Sequence, residues 1–227
     1  MSQKHTKTSK VWMPTAQTVK AIEDSTSRLR SSDEEFEKAF KILQKYPRRV
    51  TIFGSARTHQ SDKYYKLASD IASRLAAHKY AVVTGGGGGI MEAANRGSSE
   101  SKGDSIGFNI ILPHEQQLNL HTTDSLAFHY FFTRKVMMTF YADAYIYLPG
   151  GFGTLDEFFE VITLIQTRKI PYAPIILVGD AYWRDLDVFL KRHLLQSGLI
   201  SPGDEELYTI TEDVEEIGAI IDRVCPV

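Results

Sequence analysis

One feature constrains the fold of this chain most. It is a short apolar strand that is followed by a glycine turn and then by a helix. Residues 144–148 form the apolar stretch, residues 149–151 form a Pro-Gly-Gly turn, and a helical pattern follows. Glycines let backbone N–H groups approach a ligand closely, and an exposed helix N-terminus favours an anion such as phosphate. This order of elements predicts an α/β fold with a phosphate site where the strand ends.

The helix after this turn carries a hydroxyl and a carboxylate on one face. Thr154 and Glu157 are three positions apart, so they lie about one turn from each other. Glu160 continues the stripe and is interpreted as a rim or structural residue. The helix dipole favours acids in a first turn, which accounts for Asp156 but less well for Glu157. A carboxylate beside a phosphate-binding site indicates an enzyme that acts on a phosphorylated metabolite, with Glu157 near the reacting carbon.

Apolar strands and helices alternate along the chain, and several strands are continuous apolar runs. This pattern predicts a Rossmann-like, doubly wound parallel sheet flanked by helices, in a single domain. We expect a flexible segment over residues 1–31 and the domain over residues 32–227, with Ser32 or Asp33 capping its first helix. The predicted strands are 50–53, 80–83, 105–112, 126–131, 144–148 and 174–178, and the later helices include 133–141, 153–168 and 183–195.

Two further strand ends carry unusual residues, namely Gly-Ser-Ala-Arg at 54–57 and Thr84 followed by five glycines. Ligands bind at the carboxyl edge of a parallel sheet, so these loops and the Pro-Gly-Gly turn are expected to converge on one cleft. The glycine run is not a dinucleotide fingerprint, because Ile90 stands where the third glycine belongs. No Lys-Ser or Lys-Thr follows either glycine turn, which excludes a P-loop. We therefore expect these loops to bind a phosphate or a ribose, and we expect neither NAD binding nor ATP hydrolysis.

Three charged residues are candidates for this cleft. Arg134 and Lys135 project about 100° apart on a helix, so only one of them can easily face the ligand. Arg134 suits a phosphate or ribose better because its guanidinium has a fixed bidentate geometry, although a solvated basic pair is the other interpretation. Glu92 opens the helix after the glycine run and is either a helix-dipole acid or a ribose contact.

Composition excludes several classes of function. A net charge of −2 provides no basic field for nucleic acid or an anionic membrane. Cys225 is the only cysteine, so no internal disulfide is possible and a reducing compartment fits. The chain has neither a membrane-spanning apolar run nor a signal-peptide core, and we expect it in the cytoplasm. His114, His121 and His129 lack metal-ligand spacing, so no metal is expected.

Four motifs together resemble a known family. They are Phe-Gly-Ser-Ala-Arg at 53–57, Thr-Gly-Gly-Gly-Gly-Gly-Ile-Met-Glu-Ala-Ala-Asn-Arg-Gly at 84–97, Phe-Thr-Arg-Lys at 132–135 and Leu-Pro-Gly-Gly-Phe-Gly-Thr-Leu-Asp-Glu at 148–157. Over about residues 48–224 the chain is similar to the LONELY GUY (LOG) family, long labelled lysine decarboxylase-like. These proteins hydrolyse nucleoside 5′-monophosphates, including cytokinin nucleotides, to a free base and ribose 5-phosphate.

By position, the resemblance implies that Arg134 and Glu157 are the catalytic residues. It also implies a homodimer, and the aromatic segment 126–141 is a candidate for the subunit contact. No metal or organic cofactor is needed for the reaction. The predicted substrate-binding residues, with Glu92 added as a possible ribose contact, are Ser55, Arg57, Gly86, Gly87, Gly88, Glu92, Gly150, Gly151, Gly153 and Thr154.

The sequence thus predicts an N-glycosidic hydrolase for AMP-type or cytokinin nucleotides, with a small-molecule nucleoside monophosphate as its partner. One alternative is a carrier that binds a nucleotide or cofactor in the same cleft without cleaving it. The other is a true lysine decarboxylase, which needs a lysine that forms a Schiff base with pyridoxal phosphate. Lys135 is the only candidate for that lysine near the site, and its neighbour Arg134 accounts better for the basic pair.

Overall fold

A seven-stranded parallel sheet forms the centre of the computed structural model, which describes residues 25–112, 117–140 and 142–224. The strand order is β4-β3-β2-β1-β5-β6-β7, and all neighbouring strands run parallel. This arrangement confirms the predicted fold class. The strands are β1 (Arg49–Phe53), β2 (Ala81–Thr84), β3 (Ser105–Ile110), β4 (Asp124–Phe128), β5 (Ala144–Tyr147), β6 (Ile175–Leu177) and β7 (Tyr208–Ile210).

Helices cover both faces of this sheet. They are α1 (Ser25–Leu43), α2 (Lys63–Ala77), α3 (Ile90–Glu100), α4 (Phe131–Thr139), α5 (Phe152–Gln166), α6 (Asp180–Phe189) and α7 (Val214–Val224). A π-helical segment (Leu190–Leu195) extends α6, and a 3₁₀ turn (Asp204–Glu206) precedes β7. Among the described helices, none is long and apolar enough to cross a membrane.

The two faces of β5 show how the core is divided. Tyr145 and Tyr147 pack in one buried cluster together with residues of α1, α4, α5 and α6. Ala144 and Ile146 belong to a second cluster with residues of α2, α3 and α7. Side chains alternate between the faces of a strand, so each cluster fills one side of the sheet. Burial on both faces explains why the central strands read as continuous apolar runs.

The direction of chain progression reverses between β1 and β5. From β1 the chain moves outward to β4, and it then returns to place β5 on the other side of β1. Phe53 pairs with Tyr147 at the carboxyl ends of these strands, and Ser55 N–H donates to Pro149 O at 3.1 Å. The loops after β1 and β5 therefore border the switch point where ligands bind in such folds.

Several predicted boundaries differ from the structure. Helix α1 begins at Ser25, so the predicted caps at Ser32 and Asp33 are wrong, and Ser32 is buried within the helix. The fourth strand ends at Phe128, three residues earlier than predicted, while β7 was not predicted. Residues 1–24 and 113–116, which include His114, lie outside the described residues, as does Cys225.

Candidate active site

A cleft of about 590 Å³ lies at the carboxyl ends of β1 and β5. This volume lies within the range of small-molecule sites. Its wall combines loop residues after three strands with side chains of α4 and α5. The lining residues are Ile52, Phe53, Gly54, Ser55, Ala56, Arg57, Gly85, Met91, Phe131, Arg134, Gly151, Phe152, Gly153, Thr154, Asp156 and Glu157.

The loop after β1 packs tightly against the start of α3. A Cβ atom at Gly54 would lie 2.6 Å from Ile90 Cγ2, and one at Gly89 would overlap Ser55 O. Gly89 also has a φ of +63°, which side-chain-bearing residues rarely adopt. The Ile90 N–H donates to Ser55 O at 3.0 Å, so the first two glycine-containing loops converge as predicted.

The start of α5 presents backbone to the cleft. Gly151 is the N-cap residue and makes no side-chain capping bond. Both Gly151 and Gly153 line the cleft, and a Cβ atom at either would have no atom within 4 Å. Thr154 is 6% exposed, and its side chain packs against Gly150 so closely that a Cβ there would overlap it. Because the first N–H groups of a helix have no partner within the helix, this start can bind an anion.

Glu157 is a buried carboxylate in the same cleft. Its residue is 6% exposed, and within the described ranges its Oε2 has no hydrogen-bond partner. Burial raises the pKa of Glu157 to about 7, although the nearby charges of Arg134 and Lys135 act to lower it. Burying a carboxylate without a partner is unfavourable, and carboxylates with such pKa values are concentrated at functional sites.

Arg134 reaches the cleft from α4. Its Nε donates to Phe108 O at 2.7 Å, which orients the guanidinium. Burial lowers the pKa of Arg134, and the charge of Glu157 opposes this effect. No ion pair within 4.0 Å joins Arg134 to Glu157 in the described part of the chain. The two residues thus line one cleft without neutralising each other by direct contact.

Lys135 points away from Arg134 and pairs with α5. Its Nζ lies 2.8 Å from Asp156 Oδ2 and 2.9 Å from Glu160 Oε2. Only one of the two basic residues faces the cleft, as predicted, and the alternative of a solvated basic pair is wrong. The interpretation of Asp156 as a first-turn acid is also wrong, because the first turn of α5 contains no acid. Asp156 lies in the second turn, where Lys135 pairs with it.

Two more predicted residues lie on the loop after β1. Ser55 and Arg57 both line the cleft, and the Arg57 N–H donates to Ser55 Oγ at 3.1 Å. Arg57 is exposed, so its side chain is free to reach a ligand at the mouth of the cleft. Gly150 lies behind Thr154 and allows the close approach of the two chain segments.

Gly86 and Gly87 are buried beneath residues 117–121 and do not line the cleft. The Asn119 N–H donates to Gly86 O at 2.8 Å, and Asn119 Nδ2 donates to Gly87 O at 3.0 Å. Gly86 has a φ of +69° and approaches Gly107 of β3 closely. These contacts favour a structural role for both glycines, whose predicted contact with a substrate stays a prediction.

Gly88 and Glu92 line a second cavity of about 550 Å³, which shares Ala56 with the first. Glu92 accepts hydrogen bonds from Gln60 Nε2 at 3.1 Å and from Tyr65 OH at 3.2 Å. It also lies in the first turn of α3, where the helix dipole favours an acid. Both interpretations of Glu92 therefore stay open.

Several lining residues were not predicted. Gly85 lines the cleft, whereas only the later glycines 86–88 of the run were predicted to bind the substrate. Met91, at the start of the following helix, also lines the cleft. Phe131 is 56% exposed and Phe152 is 92% exposed, so these aromatic rings offer apolar surface to a ligand. Phe131 adjoins the motif at 132–135 and Phe152 lies within the motif at 148–157, which is the only sequence signal for them.

The fold and cleft define a doubly wound α/β protein with an anion-binding helix start and a buried carboxylate at its switch point. Residues 91–221 match a protein-family model described as "Possible lysine decarboxylase". The chain is 31% identical over 182 residues to the cytokinin riboside 5′-monophosphate phosphoribohydrolase of Rhodococcoides fascians, covering 77% of this chain and 88% of that protein. It is 27% identical over 192 residues to the corresponding enzyme LOG5 of Arabidopsis thaliana, covering 82% of each. This chain therefore belongs to the LOG family.

Solved structures confirm the fold. The molybdenum cofactor carrier protein of Chlamydomonas reinhardtii has a TM-score of 0.59 and 19% identity, covering 79% of this chain and 99% of that one. The molybdenum cofactor binding protein of Rippkaea orientalis has a TM-score of 0.58 and 20% identity, covering 78% and 95%. At such identities the likeness establishes a common architecture only.

Proposed function

We propose that this protein hydrolyses the N-glycosidic bond of nucleoside 5′-monophosphates of the AMP or cytokinin type. Relatives that match most of the chain are named as phosphoribohydrolases of a nucleoside 5′-monophosphate. The observation that carries the proposal is the buried carboxylate of Glu157, which lines the same cleft as the anion-binding start of α5. A carrier that only binds its ligand would not require such an unfavourable carboxylate.

The start of α5 would bind the 5′-phosphate. Gly151 and Gly153 allow the phosphate oxygens to reach backbone N–H groups, and Thr154 adds a hydroxyl donor on the face that Glu157 shares. Binding energy from this remote group then places the ribose C1′ beside the acid. Arg57 at the mouth of the cleft supplies a further positive charge for the phosphate or ribose.

Cleavage of the bond develops positive charge at C1′, as in glycoside hydrolysis. The carboxylate of Glu157 stabilises this charge, contacts the ribose hydroxyls and orients a water molecule. The C1′–N bond breaks with its electron pair moving to the base, water adds its oxygen to C1′, and the base leaves with a proton. Arg134 holds the nucleotide and favours departure of the base through its positive charge.

The ion pairs of Lys135 argue against a lysine decarboxylase. Burial acts to lower the pKa of Lys135, but its hydrogen bond to Asp156 and its ion pair with Glu160 outweigh burial and raise that pKa. A Schiff base requires a neutral amine, and this ammonium group is engaged with two carboxylates. Lys135 instead fixes α4 relative to α5, and so fixes Arg134 relative to Glu157.

We also propose that the protein forms a homodimer in the cytoplasm. Phe131, Phe132 and Phe159 expose aromatic surface on α4 and α5, which is unusual for a surface that stays in contact with water. Only part of the aromatic segment 126–141 is available for this contact, because Phe128 is fully buried in the core while Phe132 is 53% exposed. Light scattering coupled to size-exclusion chromatography measures the subunit number directly.

The function is tested by incubating the protein with AMP and a panel of other nucleoside monophosphates. Chromatography should detect free base and ribose 5-phosphate in equal amounts. Arg134→Ala and Glu157→Ala should abolish release of the base while remaining folded, whereas Glu37→Ala, which changes an exposed helical glutamate, should not. Bound AMP with no product would favour the carrier, and retained turnover in either site variant would reject the assigned roles.

A further inference from the structure

Glu35 of α1 places a buried carboxylate at the start of α4. The residue is 6% exposed, although glutamate is rarely buried unless it is paired. Its Oε1 accepts the His129 N–H at 2.6 Å and lies 3.2 Å from His129 Nδ1. Its Oε2 accepts the Thr133 hydroxyl at 2.5 Å. These contacts join segments that are more than ninety positions apart in the chain.

Helix α4 lacks the local groups that usually stabilise a helix start. Its N-cap residue, Tyr130, makes no side-chain capping bond, and its first turn contains no acidic residue. The partial positive charge of a helix N-terminus favours a carboxylate at that position. Glu35 supplies this negative charge from a different helix, and its carboxylate joins His129, which precedes α4, to Thr133 in the first turn. Helix α1 therefore stabilises the start of α4 from outside.

Arg134 follows Thr133 directly in the first turns of α4. Its N–H donates to Tyr130 O at 3.3 Å, and its guanidinium extends from there to Phe108 O and the cleft. A shift or rotation at the start of α4 would therefore move the guanidinium relative to Glu157. We propose that Glu35 is a positioning residue for Arg134, an inference that rests on the proposed function of the cleft.

The supporting helix precedes the part of the chain that the family model and the recognised motifs cover. The family model matches residues 91–221, and the recognised motifs begin at Phe53. Helix α1 precedes both, yet Ala39 and Leu43 of α1 are buried in the cluster that also holds Met137 and Met138 of α4. The region before β1 thus acquires a function, which is to hold the helix that carries Arg134.

Three variants separate positioning from general stability. Glu35→Ala removes both contacts, while Thr133→Val removes one hydroxyl with little change of volume. Leu75→Ala is the control for general stability, because it opens a cavity in the cluster on the other face of the sheet, which contains no residue of α1 or α4. Amide hydrogen exchange of residues 131–139 and the kcat and KM for AMP are measured well below each melting temperature.

We expect Glu35→Ala to lower kcat by about tenfold to a hundredfold, since small misplacements of a catalytic group have effects of that size. Thr133→Val should lower it less, and exchange in 131–139 should accelerate in both. Leu75→Ala should lower the melting temperature and keep kcat. Equal kcat in Glu35→Ala and Leu75→Ala, or unchanged exchange in Glu35→Ala, would overturn the inference. Exchange is measured without substrate, so a wild-type protein that releases no base would reject the proposed function separately.

Discussion

The guanidinium of Arg134 lies in the space that a side chain at Gly85 would occupy. A Cβ atom at Gly85 would overlap Arg134 Nη2 and would lie 2.7 Å from Met91 Sδ. Gly85 directly follows β2, whereas Arg134 belongs to α4, almost fifty positions later in the chain. The absence of a side chain at one strand end therefore determines where the arginine can lie.

Gly85→Ala should reduce activity while changing stability little. The overlapping atoms are the ends of flexible side chains, which can move aside at small cost, but Arg134 would then leave its position beside the ligand. We expect kcat/KM for AMP to fall by about a hundredfold, as for other small misplacements of catalytic groups. Steady-state kinetics and thermal unfolding of the same preparation measure both effects.

A double-mutant cycle provides the control for this prediction. If the methyl group acts by displacing Arg134, adding Gly85→Ala to Arg134→Ala should cause no further loss of activity. Additive losses in the double variant would show that Gly85 affects the site by another route.

Thr154→Val should weaken binding of the nucleotide phosphate. Valine matches threonine in shape but removes the hydroxyl, and a hydrogen bond to a charged group contributes about 1.5–3 kcal/mol. We expect kcat/KM for AMP to fall by roughly ten- to a hundredfold on that basis. Thr163→Val is the matched control, because the Thr163 hydroxyl on the same helix donates to Phe159 O at 2.6 Å. Equal losses in the two variants would remove Thr154 from the phosphate site.

Glu157→Gln should stabilise the protein at neutral pH. Burial raises the pKa of Glu157 from 4.5 to about 7, so between these values the folded state binds more protons than the unfolded state. The contribution of Glu157 to the free energy of unfolding therefore decreases as pH rises through this window. Above pH 7 this decrease is complete. Removing the charge should recover on the order of 3 kcal/mol at pH 8 and almost nothing near pH 4. Denaturant unfolding at both pH values tests this, and a difference independent of pH would contradict it.

Lys135→Met should shift the pH dependence of catalysis upward. The charge of Lys135 lowers the pKa of Glu157, so its removal should raise that pKa further. In the proposed mechanism Glu157 acts as an anion. In the wild type, kcat/KM should therefore rise with pH, and the midpoint of this rise should lie at about pH 7. The midpoint should lie higher in Lys135→Met and stay unchanged in Lys38→Met, which alters an exposed lysine. A lower midpoint in Lys135→Met would refute the assigned electrostatic role.

Local patterns were sufficient to predict the centre of this fold. The buried strands β2 and β5 are short and mostly apolar, and glycine turns mark where they lead into helices. The edge strand β7 has only three residues and one buried position, so its pattern is too short to recognise. Helix α1 extends to Ser25 through a polar stretch without an apolar period, which explains the wrong start at Ser32.

The candidate site was predictable where its residues follow one another in the chain. Thr154 and Glu157 share a helix face by their spacing, and adjacent basic residues cannot both enter one cleft. Contacts between distant segments were not predictable from such patterns. Asn119 binds Gly86 and Gly87 from the loop before β4, and this contact places them outside the cleft.

A crystal structure of Glu157→Gln with bound AMP tests the central claim most directly, because this variant should bind the nucleotide without cleaving it. We expect the phosphate to lie against the N–H groups at the start of α5, between Gly151 and Thr154. We expect the ribose C1′ to lie next to the side chain at position 157, with Arg134 in contact with the nucleotide. A phosphate bound elsewhere, or a side chain at 157 directed away from the sugar, would contradict the account.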